Sequence, residues 1–281
     1  MGACCIPLLL KEWLTVEDHK VPGGDMRQFV RILLILLIAA MPLLLAGQQV
    51  KPPDFSNLPW DPPSTFSILG YDPGTGEVGG AVQSRVFSVG NGVLWAEAGV
   101  GAVATQAIID VSYGPQGIEL LKKGMAPKDI IKAILDRDPD PRPTDWTKKG
   151  RQFAVINMKG EVAAHTGTEA TTWAGDRQGK YCTAQGNILA GEAVVTNMVK
   201  AFATTTGHIS LRLQAALEAG QEAGGDTRGK QSANMIVVKK GAGVWLNNDV
   251  VLRLQVDDNP EPIKEMRRLV ELAARQRRPR G

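Results

Sequence analysis

The sequence predicts an α+β fold, a four-layer αββα sandwich in which two packed, mostly antiparallel sheets are flanked by helices. Two observations indicate this class. Strand-forming segments occur in neighbouring pairs joined by short turns, and paired helical segments separate these pairs. Paired strands favour antiparallel sheets, whereas a parallel sheet would alternate one strand with one helix.

The first strand pair begins at Thr65 with the sequence TFSILGY, which alternates around β-forming residues. The sequence Asp-Pro-Gly-Thr-Gly at 72–76 supplies turn residues, and a glycine-rich strand returns over 77–84. Two further strands are predicted over 92–97 and 101–106. Both are dense in small residues, which would allow sheets or backbones to approach closely.

The remaining elements follow from helix and strand signals of the same kind. Gly124 follows one helical segment, and Pro127 lies near the start of the next. The predicted elements, in order, are helices over 113–123 and 127–136, a loop over 138–149, strands over 152–157, 161–165 and 181–189, helices over 192–205 and 209–219, strands over 232–238 and 250–256, and a helix over 262–275.

The first part of the chain predicts export. Arg27 and Arg31 precede an apolar run at 32–47 that is shorter than a typical membrane span and ends in small residues. We interpret 26–47 as a signal peptide and 1–25 as an extension from an upstream, mis-called start. An uncleaved membrane anchor is the alternative for the apolar run. Under either interpretation the domain is expected outside the cytoplasm, in the periplasm or outside the cell.

Residues 48–64 contain five prolines and no apolar periodicity, which is typical of an extended linker or pro-segment. The folded domain is expected over 65–275, followed by a basic tail at 276–281. The net charge of +3 is spread through the rest of the chain and gives no reason to expect nucleic acid as a partner. With 43% hydrophobic and 22% charged residues, the composition is that of a globular protein.

Neither a cofactor nor a metal site is predicted. Cys4 and Cys5 lie in the leader, so Cys182 is the single thiol of the expected domain. His165 and His208 are its two histidines, which makes a histidine-driven catalytic triad hard to build. We interpret both histidines as structural or supporting groups.

Two glycine-containing stretches resemble known motifs only loosely. The sequence VFSVG at 86–90 lacks the first glycine of the nucleophile elbow, which disfavours a conventional serine hydrolase. The sequence GVGAVA at 99–104 lies between antiparallel strands, whereas a dinucleotide fingerprint lies between a strand and a helix. Close packing of sheets explains the second stretch better.

Thr65, at the start of a strand, suggests another kind of nucleophile. A threonine at a chain terminus can attack a carbonyl without histidine, because its own α-amine, with a pKa of about 7.7–8.0, can act as the base. The hypothesis requires a cut between Ser64 and Thr65, since an internal threonine has an amide nitrogen in that place. The alternative is that Thr65 is only a β-branched residue that opens an edge strand.

A series of short motifs adds to this hypothesis. In order they are TFSI at 65–68, GAVQS at 80–84, AGVGAVATQ at 98–106, YGP at 113–115, AHTG at 164–167, WAG at 173–175, AQGN at 184–187, GGD at 224–226, GKQSA at 229–233 and VDDNP at 256–260. Together they resemble the family of N-terminal-nucleophile (Ntn) hydrolase-like proteins known as domain of unknown function 1028 (DUF1028). The resemblance implies an αββα fold akin to proteasome subunits and related amidohydrolases.

The resemblance also implies roles for individual residues. Thr65 would be the nucleophile, and Ser84 and Asp226 would be further catalytic residues. Ser84 and Gln106 are expected in strands that run beside the first strand. Substrate-binding or oxyanion roles are implied for Arg85, Gln106, Gln185, Asn187, Gln231 and Ser232. Arg85 stands where family members often have lysine, and it would suit an acidic substrate group. Asp226 among glycines could instead be a turn residue. For Asn187 the alternative is that it closes a turn and has no further role.

The resulting hypothesis is an exported Ntn-type amidohydrolase that cleaves a C–N bond in a small amide, lactam, ureido compound or short peptide. Removal of a signal peptide near Gly47 would leave 48–64 in place, so a second cleavage, directly before Thr65, is required. The resemblance implies that the Thr65 hydroxyl can make this cut itself, by attack on the preceding carbonyl. The alternative function is a non-catalytic exported binding or scaffold domain. Expected partners are the substrate, the membrane only through an uncleaved anchor, and, as an open alternative, further copies of the chain.

Overall fold

A computed structural model describes residues 65–276, apart from Val244 and Leu246. The predicted extension, signal peptide and linker over 1–64 lie outside the described residues, as do positions 277–281 of the predicted basic tail. These assignments stay predictions. The described part begins at Thr65, which is also the first residue of the first strand.

The described residues contain ten strands and five α-helices. In chain order they are β1 Thr65–Asp72, β2 Glu77–Ser84, β3 Leu94–Glu97, β4 Gly101–Ala107, α1 Tyr113–Lys122, α2 Pro127–Arg137, β5 Arg151–Asn157, β6 Val162–Thr166, β7 Gly175–Gly179, β8 Cys182–Asn187, α3 Ala193–Thr204, α4 Ile209–Glu222, β9 Ser232–Val238, β10 Val250–Val256 and α5 Pro262–Gln276. The prediction of a mixed fold with paired strands and paired helices is confirmed.

The strands form two antiparallel sheets. The larger sheet has six strands in the order β10-β9-β2-β1-β8-β7, and the smaller sheet has four in the order β3-β4-β5-β6. Strand β1 therefore has a hydrogen-bonded neighbour on each side, so the alternative that Thr65 opens an edge strand is wrong.

The side chains of β1 alternate between two hydrophobic layers, as the pleat of a strand requires. Phe66 lies in a cluster with Phe202 of α3 and with residues of α4 and α5. Leu69 points the other way and packs with Ile156 of the smaller sheet. Helices α1 and α2 cover the far side of the smaller sheet, where Phe153 lies in their cluster. The inner faces of the two sheets thus meet, and helices lie outside each sheet.

Two differences from the predicted elements have local causes. Strand β7 was not predicted because its sequence, GDRQG, has no apolar residue and it lies at the edge of the larger sheet. Helix α4 continues past its predicted end, with Gly220 inside it. A Cβ atom at Gly220 would lie 2.8 Å from Cγ of Met198, so this glycine permits close packing of α3 and α4.

Glycines also set the spacing of strands. A Cβ at Gly79 of β2 would lie 2.0 Å from the carbonyl oxygen of Ile236 in β9. Gly101 of β4 has φ +147°, and a Cβ there would lie 2.3 Å from the carbonyl oxygen of Ile156. The expectation that small residues allow close approach is therefore confirmed at Gly101.

A buried ion pair fixes the loop between α2 and β5. Nε of Arg151 lies 3.1 Å from Oδ2 of Asp138, and both side chains are almost fully buried. The Tyr113 hydroxyl donates a hydrogen bond to the same carboxylate. Burial raises the pKa of Tyr113, and the neighbouring Asp138 carboxylate raises it further. The Arg151 guanidinium also donates to the carbonyl oxygens of Ile108, at 2.8 Å, and Trp146, at 3.1 Å.

Within residues 65–276, no described helix combines the length and the apolar character that a membrane crossing requires.

Candidate active site at the start of the central strand

Thr65 lies in a row of three residues at one end of the larger sheet. Its directly paired residues are Ser84 of β2 and Asn187 of β8. Directly opposed residues in antiparallel strands point to the same face, with Cα atoms about 4.5–5.5 Å apart. All three side chains are buried, and Oγ1 of Thr65 lies 3.3 Å from Oγ of Ser84. The sheet therefore brings together three of the residues singled out in the sequence.

Gln106 reaches this row from the other sheet. The sequence placed its strand beside the first strand, but β4 pairs with β3 and β5 in the smaller sheet. The prediction was wrong because β4 faces β1 across the space between the sheets. Nε2 of Gln106 donates to the carbonyl oxygen of Thr65 at 3.2 Å. Gln106 thus holds the backbone of the candidate nucleophile.

Gln152, which the sequence analysis did not single out, connects the two sheets at this point. Its Oε1 accepts hydrogen bonds from Nε2 of Gln106, at 2.8 Å, and from Nδ2 of Asn187, at 3.1 Å. Its Nε2 lies 2.9 Å from Oγ1 of Thr166 and 2.8 Å from the carbonyl oxygen of Gly186. A polar residue before the apolar sequence FAVI was the available signal, but its value depends on strand register.

A second polar row lies one step further along the strands. The Ser67 hydroxyl donates to Oε1 of Gln106 at 2.5 Å and accepts from Nε2 of Gln185 at 2.6 Å. Ser67 and Gln185 are directly paired between β1 and β8. Gln185 therefore supports the residues behind Thr65, whereas Asn187 stands beside Thr65 itself.

We expect Gln152→Leu to lower the free energy of unfolding by about 1–3 kcal/mol, because Gln106 and Asn187 each lose a buried acceptor. Urea denaturation measures this change. Gln178→Leu, on the exposed edge strand β7, is the matched control and should have little effect. Equal effects of the two substitutions would contradict a supporting role for Gln152.

Asp226 fixes the ends of two strands that flank β1. It is buried, and its Oδ2 accepts from the backbone nitrogen of Arg85, directly after β2, at 3.2 Å. It also forms a β-bridge with Leu189, shortly after β8. The guanidinium of Arg228, which the sequence analysis missed, lies 3.3 Å from the same Oδ2. An arginine two residues after an aspartate in a glycine-rich loop was a weak signal.

Gln231 and Ser232 hold the segment that follows β2. The Ser232 hydroxyl donates to the carbonyl oxygen of Val86 at 2.6 Å and accepts from the backbone nitrogen of Val89 at 3.0 Å. Oε1 of Gln231 accepts from Nη1 of Arg85 at 2.9 Å. Ser232 pairs with Ser84, so it lies two strands away from Thr65. The structure thus places these two residues around Arg85 and the following segment.

The setting of Cys182 does not favour nucleophilic chemistry, and His208 has a structural role as a helix cap. Burial raises the pKa of the Cys182 thiol to about 11, which keeps it protonated. Burial lowers the pKa of His165, and nearby Asp176 opposes that shift. His208 caps α4 by accepting from the backbone nitrogen of Ser210 at 3.2 Å. Among the described residues, no group of three or more His, Cys, Asp and Glu side chains could hold a metal ion.

Comparison with known proteins gives one family and a set of solved structures that includes the following two. The family described as "Family of unknown function (DUF1028)" matches residues 65–266. A crystal structure of a DUF1028 protein from Silicibacter pomeroyi is 29% identical, with 75% of this chain and 89% of that chain covered and a TM-score of 0.66. Anbu, an ancestral beta-subunit from Yersinia bercovieri, is 10% identical over 75% of this chain and 97% of that one, with a TM-score of 0.33. No curated protein matches the chain.

Proposed function

The chain belongs to the DUF1028 family of unknown function, and from that membership and the geometry around Thr65 we propose that it is an exported Ntn-type amidohydrolase. Its substrate would be a small amide, lactam, ureido compound or short peptide, cleaved at a C–N bond. The two facing sheets with helices outside each would then form the four-layer αββα sandwich of Ntn hydrolases.

One observation carries the proposal: the first residue of the central strand is a threonine whose hydroxyl and carbonyl groups are both held by buried polar side chains. The Thr65 hydroxyl lies 3.3 Å from that of Ser84, and Gln106 donates to the Thr65 carbonyl oxygen. A nucleophile must be held in a defined orientation to attack, and such positioning contributes a large part of catalysis.

The reaction would proceed through an ester on Thr65. The α-amine takes the proton of the Thr65 hydroxyl while Oγ1 attacks the substrate carbonyl carbon. The C–N bond then breaks, and the amine returns the proton to the leaving nitrogen. Water hydrolyses the ester and restores the hydroxyl. Asn187, which pairs directly with Thr65, would donate to the oxyanion that forms at each step.

The Thr65 hydroxyl would also release the free α-amine that serves as its base, by cutting the chain before Thr65. In the uncut chain Thr65 is fully buried and its nitrogen is an amide. Attack of Oγ1 on the carbonyl carbon of Ser64 would shift the acyl group from nitrogen to oxygen, and water would then release the preceding segment with a free carboxylate. The remaining chain would begin at Thr65 with a basic amine. Ser84, whose hydroxyl accepts from Thr65, would orient the attack.

Amino-terminal sequencing of the protein recovered from its native host tests this proposal. We expect a chain that begins at Thr65. A stable, functional chain that begins near Gln48 would contradict catalysis by Thr65 and would support a non-catalytic binding domain.

A further inference from the structure

A pocket of about 330 Å³ lies between the segment after β2 and the segment after β4. Its apolar lining includes Val86, Phe87, Val93, Ile109, Val111 and Trp146. Ser88 and Asn91 add neutral polar groups, and the lining contains no charged residue. The pocket is therefore suited to an uncharged, apolar group.

The pocket is close to Thr65 because both of its walls continue strands that contact Thr65. Val86 is two residues beyond Ser84, so their Cα atoms lie within about 7 Å. Ile109 is three residues beyond Gln106, so their Cα atoms lie within about 11 Å. Val82, in the same hydrophobic cluster as Val86 and Ile109, pairs directly with Ser67 of β1.

Buried and half-buried groups hold both walls in place. On one side, the Ser232 hydroxyl binds Val86 and Val89, and the Ser88 hydroxyl donates to Oδ1 of Asp257 at 2.7 Å. On the other side, Nε1 of Trp146 donates to the carbonyl oxygen of Ile109 at 2.8 Å. A pocket whose walls are fixed before binding loses little entropy when a ligand enters.

The pocket also gathers exposed apolar surface. Phe87 is 54% exposed and Val111 is 49% exposed, and within the described residues the one other large hydrophobic side chain with comparable exposure is Trp245, at 78%. Two of these three side chains thus line one concave site. Apolar surface concentrated in this way is typical of a ligand-binding site.

We propose that this pocket binds the apolar side chain of the substrate, of leucine or phenylalanine size, next to the amide that Thr65 cleaves. The assignment rests on the proposed function and deepens it. It narrows the substrate to an amide or short peptide with a bulky uncharged side chain beside the scissile bond, because a carboxylate or ammonium group would be desolvated in this pocket without a partner.

Titration calorimetry of the full chain with three small probes tests the assignment. The probes are N-acetyl-leucinamide, N-acetyl-alaninamide and N-acetyl-aspartamide. We expect leucinamide to bind at least about tenfold more tightly than alaninamide, and aspartamide to bind most weakly. Val111→Trp fills the pocket and should weaken leucinamide binding about tenfold or more. Trp245→Ala, which changes an exposed hydrophobic side chain outside the pocket, should leave binding unchanged.

The failure of this inference differs from the failure of the proposed function. Selective binding of N-acetyl-leucinamide without release of ammonia would contradict the proposed amidohydrolase activity and support the assignment of the pocket to an apolar side chain. Release of ammonia at equal rates from all three probes, unaffected by Val111→Trp, would contradict the pocket assignment and support the proposed amidohydrolase activity. Failure of N-acetyl-leucinamide to bind the full chain would likewise overturn the substrate assignment.

Discussion

Thr65→Ala is expected to abolish both the removal of the residues before position 65 and the amidase activity, with a loss of activity of about 10⁴-fold or more. Alanine has no hydroxyl, so neither the peptide carbonyl of Ser64 nor a substrate carbonyl can be attacked. Intact mass of the protein recovered from its native host reports the first loss, and release of the amine product reports the second.

Two further variants make this result specific. Thr65→Ser keeps a hydroxyl and should retain part of both activities. Thr75→Ala, in the turn after β1, removes a threonine hydroxyl that is hydrogen-bonded to Glu77 and should change neither. Normal processing of Thr65→Ala would show that another protease trims the chain, and normal amidase activity would exclude Thr65 as the nucleophile.

Arg151→Met is expected to lower the free energy of unfolding by about 3–5 kcal/mol, because it leaves the carboxylate of Asp138 buried without its cationic partner. Tyr113 would still donate to that carboxylate but cannot neutralise it. The carbonyl oxygen of Ile108 would also lose a donor, which would loosen one wall of the apolar pocket. Urea denaturation measures the loss of stability.

The matched control is an exposed ion pair on α2. Lys132 and Asp136 form a salt bridge on the surface, and Lys132→Met should have little effect on stability. The double variant Asp138→Leu/Arg151→Met removes both buried charges and should recover part of the loss. A single variant Arg151→Met as stable as the wild type would show that the buried pair does not hold the loop.

Short β-forming runs between turn residues made much of the fold predictable. The predicted bounds 77–84, 232–238 and 250–256 agree with β2, β9 and β10, since each of these runs contains at least two valines and follows turn-forming residues. Strand β7 has no such pattern, because its residues lie at an edge and carry little of the core. Its formation depends on pairing with β8, which is a tertiary effect.

The candidate site was predictable residue by residue but not as an arrangement. Family motifs pointed to Thr65, Ser84 and Asn187, yet their single row depends on the register of three strands. Gln106 was placed in the wrong sheet because a strand's partners are not encoded in its own periodicity. Gln152 was missed for the same reason, since its importance comes from groups that belong to three other strands, β4, β6 and β8.

The pairing of Thr65 with Asn187 also constrains when the site can exist during folding. The two residues are distant in the sequence, so this contact closes a large loop and is expected to form late compared with the local β1–β2 hairpin. Gln152 and Asn187 both lie C-terminal to the first two helices, and a nascent chain lacks them until most of the domain has been synthesised. Under the proposed self-cleavage, the Thr65 hydroxyl would lack Gln152 and Asn187 in every chain that has not been synthesised beyond β8, so the cut would be confined to chains in which most of the domain is complete.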